Sequence, residues 1–348
     1  MSVGVIAGPY LSDVLAQHEA LTSLCEKLSK ASFPESLLEN IRRGQYRRLL
    51  LTGMGSSLFA TYPTFRRMSE TSVCTHQIET AELLTGFESL YASDTLLVAV
   101  SQSGESAEIV QLLQRASEFG HIIGVTNNSE SNLATRCNSV IDLAAGAEST
   151  VSCKTYLCTL AALHWMRTQF LGGSPLAAIQ NILSVERAVA GYLSQWQDHV
   201  AAWMPLIDGV QNVFVTGRGD SLATALTGGL ILKESTRQHA EGMSCAAFRH
   251  GPMEMADESV LVVIFEGSGS EASLNRRLAE DIRRGGGKVV LVGSSLNTVG
   301  SFAIPTVDSC VRPIMEFLPI TMLSLAIASR EGIEAGRFQR ASKITVVA

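Results

Sequence analysis

The chain has 348 residues, 46% hydrophobic and 17% charged, with 27 Lys and Arg against 33 Asp and Glu for a formal net charge of −6. That length suggests two domains or one large one, the apolar share supports a sizeable core, and disorder is not expected. The acidic balance argues against nucleic-acid binding: the densest basic patch, Arg276-Arg277 to Arg283-Arg284, is interrupted by acids and reads as a solvated helix face.

The seven Cys, at 25, 74, 137, 153, 158, 245 and 310, are scattered with no Cys-x-x-Cys, which points to buried thiols in a reducing compartment. The N-terminal MSVGVIAGPY lacks a charged segment followed by a long apolar run, so no signal peptide is expected. The most apolar helix, over Phe317–Ala328, holds Pro319 and is too short to span a bilayer. A soluble cytoplasmic protein with no membrane partner is expected.

In chain order, residues 11–45 form a helical lead-in, with Leu11, Val14, Leu15, His18, Leu21 and Leu24 at helical spacing. Arg48–Leu51 begins a strand that enters Thr52-Gly53-Met54-Gly55-Ser56-Ser57-Leu58. Leu96–Val100 reads as a buried parallel strand. The turn Ser101-Gln102-Ser103-Gly104-Glu105-Ser106 follows, and apolar residues from Ile109 to Phe119 then take helical spacing. Such a turn gathers backbone N–H groups, the positive end of a helix dipole and three Ser hydroxyls, which suits an anion, and phosphate first. An ordinary Ser cap with a Gly turn is the alternative. Pro175–Pro205 is helical in pattern and reads as a connector. Asn212–Val215 is a strand entering Thr216-Gly217-Arg218-Gly219-Asp220-Ser221-Leu222, followed by a helix over Ala223–Gln238. A long apolar helix from about Pro313 to Ile333 and a tail, Gly336–Ala348, close the chain.

The heptads at 52 and 216 match at Thr, both Gly, Ser and Leu. LLVAVSQSGES at 96 matches LVVIFEGSGSE at 261, and GHIIGVTNN at 120 matches GKVVLVGSS at 287. Three ordered matches at offsets of 164 to 167 imply two copies of one α/β unit. Short apolar strands alternating with amphipathic helices imply parallel sheets covered on both faces, with ligands beyond the strands' C-terminal ends.

In the second copy, Glu234 lies late on the helix after the glycine turn, and His250 follows in Phe248-Arg249-His250-Gly251-Pro252. A Glu and a His can move protons on and off carbon and oxygen near neutral pH. The alternatives are a surface carboxylate paired with Lys233 or Arg237, and a turn histidine. No metal spacing and no cofactor fingerprint emerges, since Gly-x-Gly at 53 and 217 lacks its third Gly both times.

From about Arg48 onward the chain resembles the double sugar isomerase (SIS) family. It is similar to the isomerase half of glucosamine-6-phosphate synthase, to hexosamine-phosphate deaminase/isomerases and to fructosamine-phosphate deglycases. SQSGES, TGRGDSLATALTGGLILKES, HAEGMSCAAFRHGP and ASKITV carry the match. The resemblance implies two tandem SIS domains, flavodoxin-like and doubly wound, at 46–174 and 206–335. A lead-in at 1–45, a connector at 175–205 and a tail at 336–348 over the active site complete the chain. It implies that Ser101, Gln102, Ser103 and Ser106 hold a sugar 6-phosphate and that Ser57 contacts the sugar. It further implies that Glu234 shuttles the proton between C1 and C2, and that His250 opens the ring, reaching in from the neighbouring subunit of a homodimer. Lys343 matches a tail lysine that engages the open-chain ketose as an imine.

The chain departs from the synthase in three ways. It has no N-terminal Cys nucleophile or glutaminase domain, so glutamine-dependent amination is not expected. Ile231 stands where the synthase has a catalytic Lys, and the loop Glu148–Lys154 is one residue shorter. Enolisation and C–N bond chemistry on a hexosamine or ketosamine 6-phosphate is expected, with no cofactor. A deaminase/isomerase comes first, a deglycase second, and a non-catalytic sugar-phosphate sensor is the alternative from another class.

Overall fold

A computed structural model of the chain describes residues 6–294, 300–340 and Lys343. Helices α1 (Pro9–Leu15), α2 (Gln17–Leu28) and α3 (Glu35–Arg42) precede β1 (Arg48–Gly53). Next come α4 (Ser56–Ala60), α5 (Tyr62–Met68), β2 (Cys74–Glu79), α6 (Thr80–Thr85), β3 (Thr95–Val100) and α7 (Ala107–Leu112). β4 (His121–Thr126), α8 (Asn132–Arg136), β5 (Ser139–Asp142) and α9 (Lys154–Phe170) follow. Helices α10 (Pro175–Leu193) and α11 (Trp196–Trp203) lead to β6 (Asn212–Gly217), α12 (Ser221–Thr236), β7 (His239–Ser244) and α13 (Cys245–Arg249). The last elements are β8 (Val260–Phe265), α14 (Gly269–Arg284), β9 (Lys288–Gly293), β10 (Ser301–Ala303) and α15 (Arg312–Arg330).

These elements form two compact units. The first holds residues 19–148 and 154–183 with Lys343; the second holds the described residues of 6–18, 149–153 and 184–340. The lead-in divides accordingly. Helix α1 belongs to the second unit, where Tyr10 Oη lies 3.1 Å from Ser324 Oγ of α15, whereas α3 belongs to the first.

Each unit carries one parallel sheet among the described residues. The first runs β2-β1-β3-β4-β5 and the second, read from its other edge, β7-β6-β8-β9-β10. Strand for strand the two orders are identical, so the sequence repeat is a repeat of topology, doubly wound and flavodoxin-like. The central strands β3 and β8 are buried at every position, as their unbroken apolar runs require when helices cover both faces. The edge strands β2 and β7 are polar and largely half-exposed. One face of the first sheet packs Leu50, Leu97 and Ala99 against Ile109, Leu112 and Leu113; its counterpart packs Phe214, Val262 and Ile264 against Leu278, Ala279 and Ile282 of α14.

Three expectations change. The helix after the Ser turn is short: α7 ends at Leu112 and tightens into a 3₁₀ stretch over Leu113–Glu118. Arg115 leaves helical geometry there, its guanidinium bonded to Glu88 and Glu118 and stacked 3.5 Å over the Tyr91 ring. The apolar C-terminal helix has 19 residues, long and apolar enough to cross a membrane, but 89% of that stretch is buried, so its apolarity serves the core of the second unit. Finally, Cys74 and Cys310 are exposed rather than buried.

Candidate functional site

In a doubly wound sheet the strand order reverses beside the first strand, and a crevice opens beyond the C-terminal ends of the two strands flanking that point. In the first unit those strands are β1 and β3, paired through Gly53 and Val100. A Cβ on Gly53 would lie 2.8 Å from the Val100 carbonyl, so only glycine lets the two strand ends converge this closely. The turn carrying Ser57 and the turn Ser101–Ser106 therefore leave the sheet side by side. Ser57, at the start of α4, is half-buried.

The Ser101–Ser106 turn is internally braced. Ser101 Oγ, nearly buried, accepts from the Gly104 N–H at 3.1 Å, and Ser103 Oγ accepts from the Glu105 N–H at 3.2 Å. Gly104 has φ +65° and a Cβ there would run into the Ser131 side chain, so both conformation and space demand glycine. The Gln102 carbonyl accepts from the Asn127 N–H at 3.0 Å, while the Glu105 carboxylate accepts from Asn132 N and Nδ2 at 2.6 and 2.7 Å. Ser106 caps α7 without a side-chain bond to that helix. The turn is thus an internally braced loop that leads from the C-terminal end of β3 into the start of α7.

The equivalent place in the second unit is filled by its own side chains. Glu266 is 3% exposed and bonds Arg276, whose Nε lies 2.7 Å from Oε1. Arg218 Nε donates to Asn275 at 3.0 Å, and Arg312 Nη1 donates to the Gly267 carbonyl at 2.6 Å. Ser221 Oγ donates to Glu316 Oε1 at 2.9 Å. Burial pushes the Glu316 carboxyl up to about 7, against the Ser221 hydrogen bond and Arg312, which favour its charge; Asp220 and Glu271 add to the rise.

Glu234 sits half-buried near the end of α12, which Arg237 terminates in left-handed geometry at φ +59°. Lys233 lies 3.8 Å from Glu241 on β7. Helix α12 meets β7 backbone to backbone, because Gly229 and Gly242 offer no Cβ to keep them apart. Ile231 is fully buried. His250 ends α13 and is exposed, its N–H donating to the Ala247 carbonyl at 2.9 Å.

In the first unit Lys343 Nζ lies 3.2 Å from Glu148 Oε2. Glu148 also accepts from Thr155 N at 3.1 Å and Thr155 Oγ1 at 2.7 Å, capping the start of α9. Neither Glu148 nor Glu316 stands out as a functional residue in the sequence. A Glu ahead of a long apolar helix is a start signal, and a lone acid inside the run after Pro313 is the only mark of Glu316. The rest of the ASKITV tail, Ala341, Ser342 and 344–346, lies outside the described residues.

A duplicated doubly wound α/β chain with a braced hydroxyl-rich turn at one switch point is the class that the fold and site define. The SIS domain family model matches residues 45–167 and 206–330, and the chain belongs to the SIS domain family. It is 27% identical over 264 residues to the glutamine–fructose-6-phosphate aminotransferase (isomerizing) of Agrobacterium fabrum, covering 71% of this chain and 43% of that protein. An Arabidopsis thaliana enzyme of the same name is 28% identical over 313 residues, covering 85% of this chain and 46% of that protein. The chain thus spans about half the length of the curated relatives it matches. In structure it resembles the C-terminal domain of the Francisella tularensis glucosamine-fructose-6-phosphate aminotransferase, with TM-score 0.84, 19% identity and coverage of 95% and 98%. It also resembles a Thermotoga maritima glucosamine-6-phosphate deaminase, with TM-score 0.75, 18% identity and coverage of 98% and 100%.

Proposed function

We propose that the chain is an enzyme acting on a hexosamine or ketosamine 6-phosphate through enolisation and C–N bond chemistry, foremost as an aminosugar-phosphate deaminase/isomerase. The braced Ser101–Ser106 turn at the β1/β3 switch point carries this reading, since its fixed donors and helix start suit a phosphate dianion. Ser101, Gln102, Ser103 and Ser106 hold the phosphate and Ser57 touches the sugar. His250 opens the ring, exposing the C1 aldehyde. The Glu234 carboxylate takes the C2 proton and returns it to C1, leaving a ketimine at C2. Lys343 exchanges onto C2 with loss of ammonia, and water then frees the ketose 6-phosphate. The net change is hexosamine phosphate plus water to ketose phosphate plus ammonia. A homodimer in which His250 serves the neighbouring subunit fits the exposure of that residue.

A deglycase of fructosamine 6-phosphates is the second reading, favoured by the buried Ile231 in place of a catalytic lysine. Assays with glucosamine 6-phosphate and fructoselysine 6-phosphate separate them. Ammonia from the first substrate is the expected result. Free lysine without ammonia replaces the deaminase by the deglycase, and binding without any product leaves a sensor.

A further inference from the structure

We propose that Glu148 is the positioning residue for Lys343, holding its amino group in place for attack on C2 of the open-chain sugar. The inference rests on the proposed role of Lys343 as the imine-forming amine. Glu148 has a side chain with 0% exposure. A carboxylate that far from water is costly unless its oxygens are bonded. Thr155 supplies two bonds, one to each oxygen, which lock the carboxylate onto the first turn of α9. Oε2 therefore has a fixed place, and Lys343 Nζ lies 3.2 Å from it while the lysine side chain stays 22% exposed. Lys154, next along the chain, is occupied otherwise, its Nζ donating to the Ala147 carbonyl at 2.7 Å. A lysine stem has free rotation about four carbons, and an amine that must meet a carbonyl carbon gains most from an anchor that sets its direction.

In the step tested below, the reverse of the hydrolysis that frees the ketose, the ammonium gives one proton to solvent and the lone pair attacks C2. The carbonyl π pair moves to oxygen, and the carbinolamine loses water made from that oxygen and the two remaining nitrogen protons.

The test is imine trapping. Wild-type protein, Glu148→Gln, Glu148→Asp and Thr155→Val are incubated with fructose 6-phosphate and borohydride, and the Lys343 peptide is weighed by mass spectrometry. Wild type should carry the reduced adduct on Lys343. In Glu148→Gln, labelling at saturating sugar should fall about tenfold or more, with the half-saturating concentration and thermal midpoint nearly unchanged, because the amide oxygen still accepts from Thr155. Glu148→Asp should recover part of the rate, and Thr155→Val should lose less than Glu148→Gln. Wild-type labelling in Glu148→Gln overturns the proposal. Loss of sugar binding and of thermal stability in both Glu148 variants reduces Glu148 to a structural cap and also overturns it. An unlabelled Lys343 in wild type refutes the lysine's own role, a separate failure read before any variant is compared.

Discussion

Glu316 carries a carboxyl with 1% exposure in α15, bonded through one oxygen to Ser221 while the other has no hydrogen-bond partner among the described residues. Burial raises it from 4.5 to about 7, so the folded protein keeps this proton to higher pH than the unfolded chain does. Stability from the protonated form is complete below about pH 4.5 and is lost as pH rises through about 7, a change of roughly 3 kcal/mol at 1.36 kcal/mol per pKa unit. Glu316→Gln should gain thermal midpoint on wild type between about pH 5 and pH 8, measured by parallel melts. Equal slopes in the two proteins would contradict the assignment. The pairing of neither this residue nor Glu148 was legible in the sequence, because each has a partner far along the chain: Ser221 lies 95 residues from Glu316 and Lys343 lies 195 from Glu148. The Ser101–Ser106 turn was legible as a strand-to-helix turn because its hydroxyls, glycine and flanking apolar runs are contiguous.

At the scale of elements, α12 and β7 are held in backbone contact by two glycines. A Cβ at Gly242 would strike the backbone of Ala225 and Leu226, which cannot move aside as a flexible side chain could. Gly242→Ala should therefore cost about 2 kcal/mol or more, in the range for overpacking, and should lower turnover by shifting the helix that bears Glu234. Denaturant melts and assays of the folded fraction measure the two effects. An unaltered midpoint would show that the contact is slack. The strands themselves were readable: the apolar runs at Arg48, Leu96 and Asn212 each became a strand extended by one or two residues. The helix after Ser106 was not, since its apolar spacing continues to Phe119 while Arg115 is pulled out of register by Glu88, Glu118 and Tyr91. Pattern shows which face is apolar, but not where a distant carboxylate draws a guanidinium.

At the scale of the molecule, the duplication was visible in three short matches and is complete in topology. The two copies have diverged at the switch point: one keeps a hydroxyl-rich turn, the other fills its place with Glu266, Arg276 and Arg312. Ser101→Ala with Ser103→Ala should raise the half-saturating concentration of sugar phosphate at least about tenfold, given the worth of hydrogen bonds to a charged group. Ser268→Ala with Ser270→Ala should leave it within about twofold. Equal losses would mean that both copies bind substrate. If His250 serves its neighbour, mixing inactive His250→Ala and Glu234→Gln subunits should restore about a quarter of wild-type activity, one intact site in each mixed dimer. No recovery on verified mixing would place His250 in its own chain's site.

In the proposed reaction Glu234 is the group that carries the proton between two carbons. Hydrogen–deuterium exchange at C2 of glucosamine 6-phosphate in D₂O, followed by NMR for wild type and Glu234→Gln, measures that transfer directly. Wild type should exchange the C2 hydrogen. Glu234→Gln should bind the sugar phosphate with little change while exchange falls about 10²–10⁴-fold, the usual worth of a positioned acid–base group. Exchange in Glu234→Gln at the wild-type rate would contradict the account.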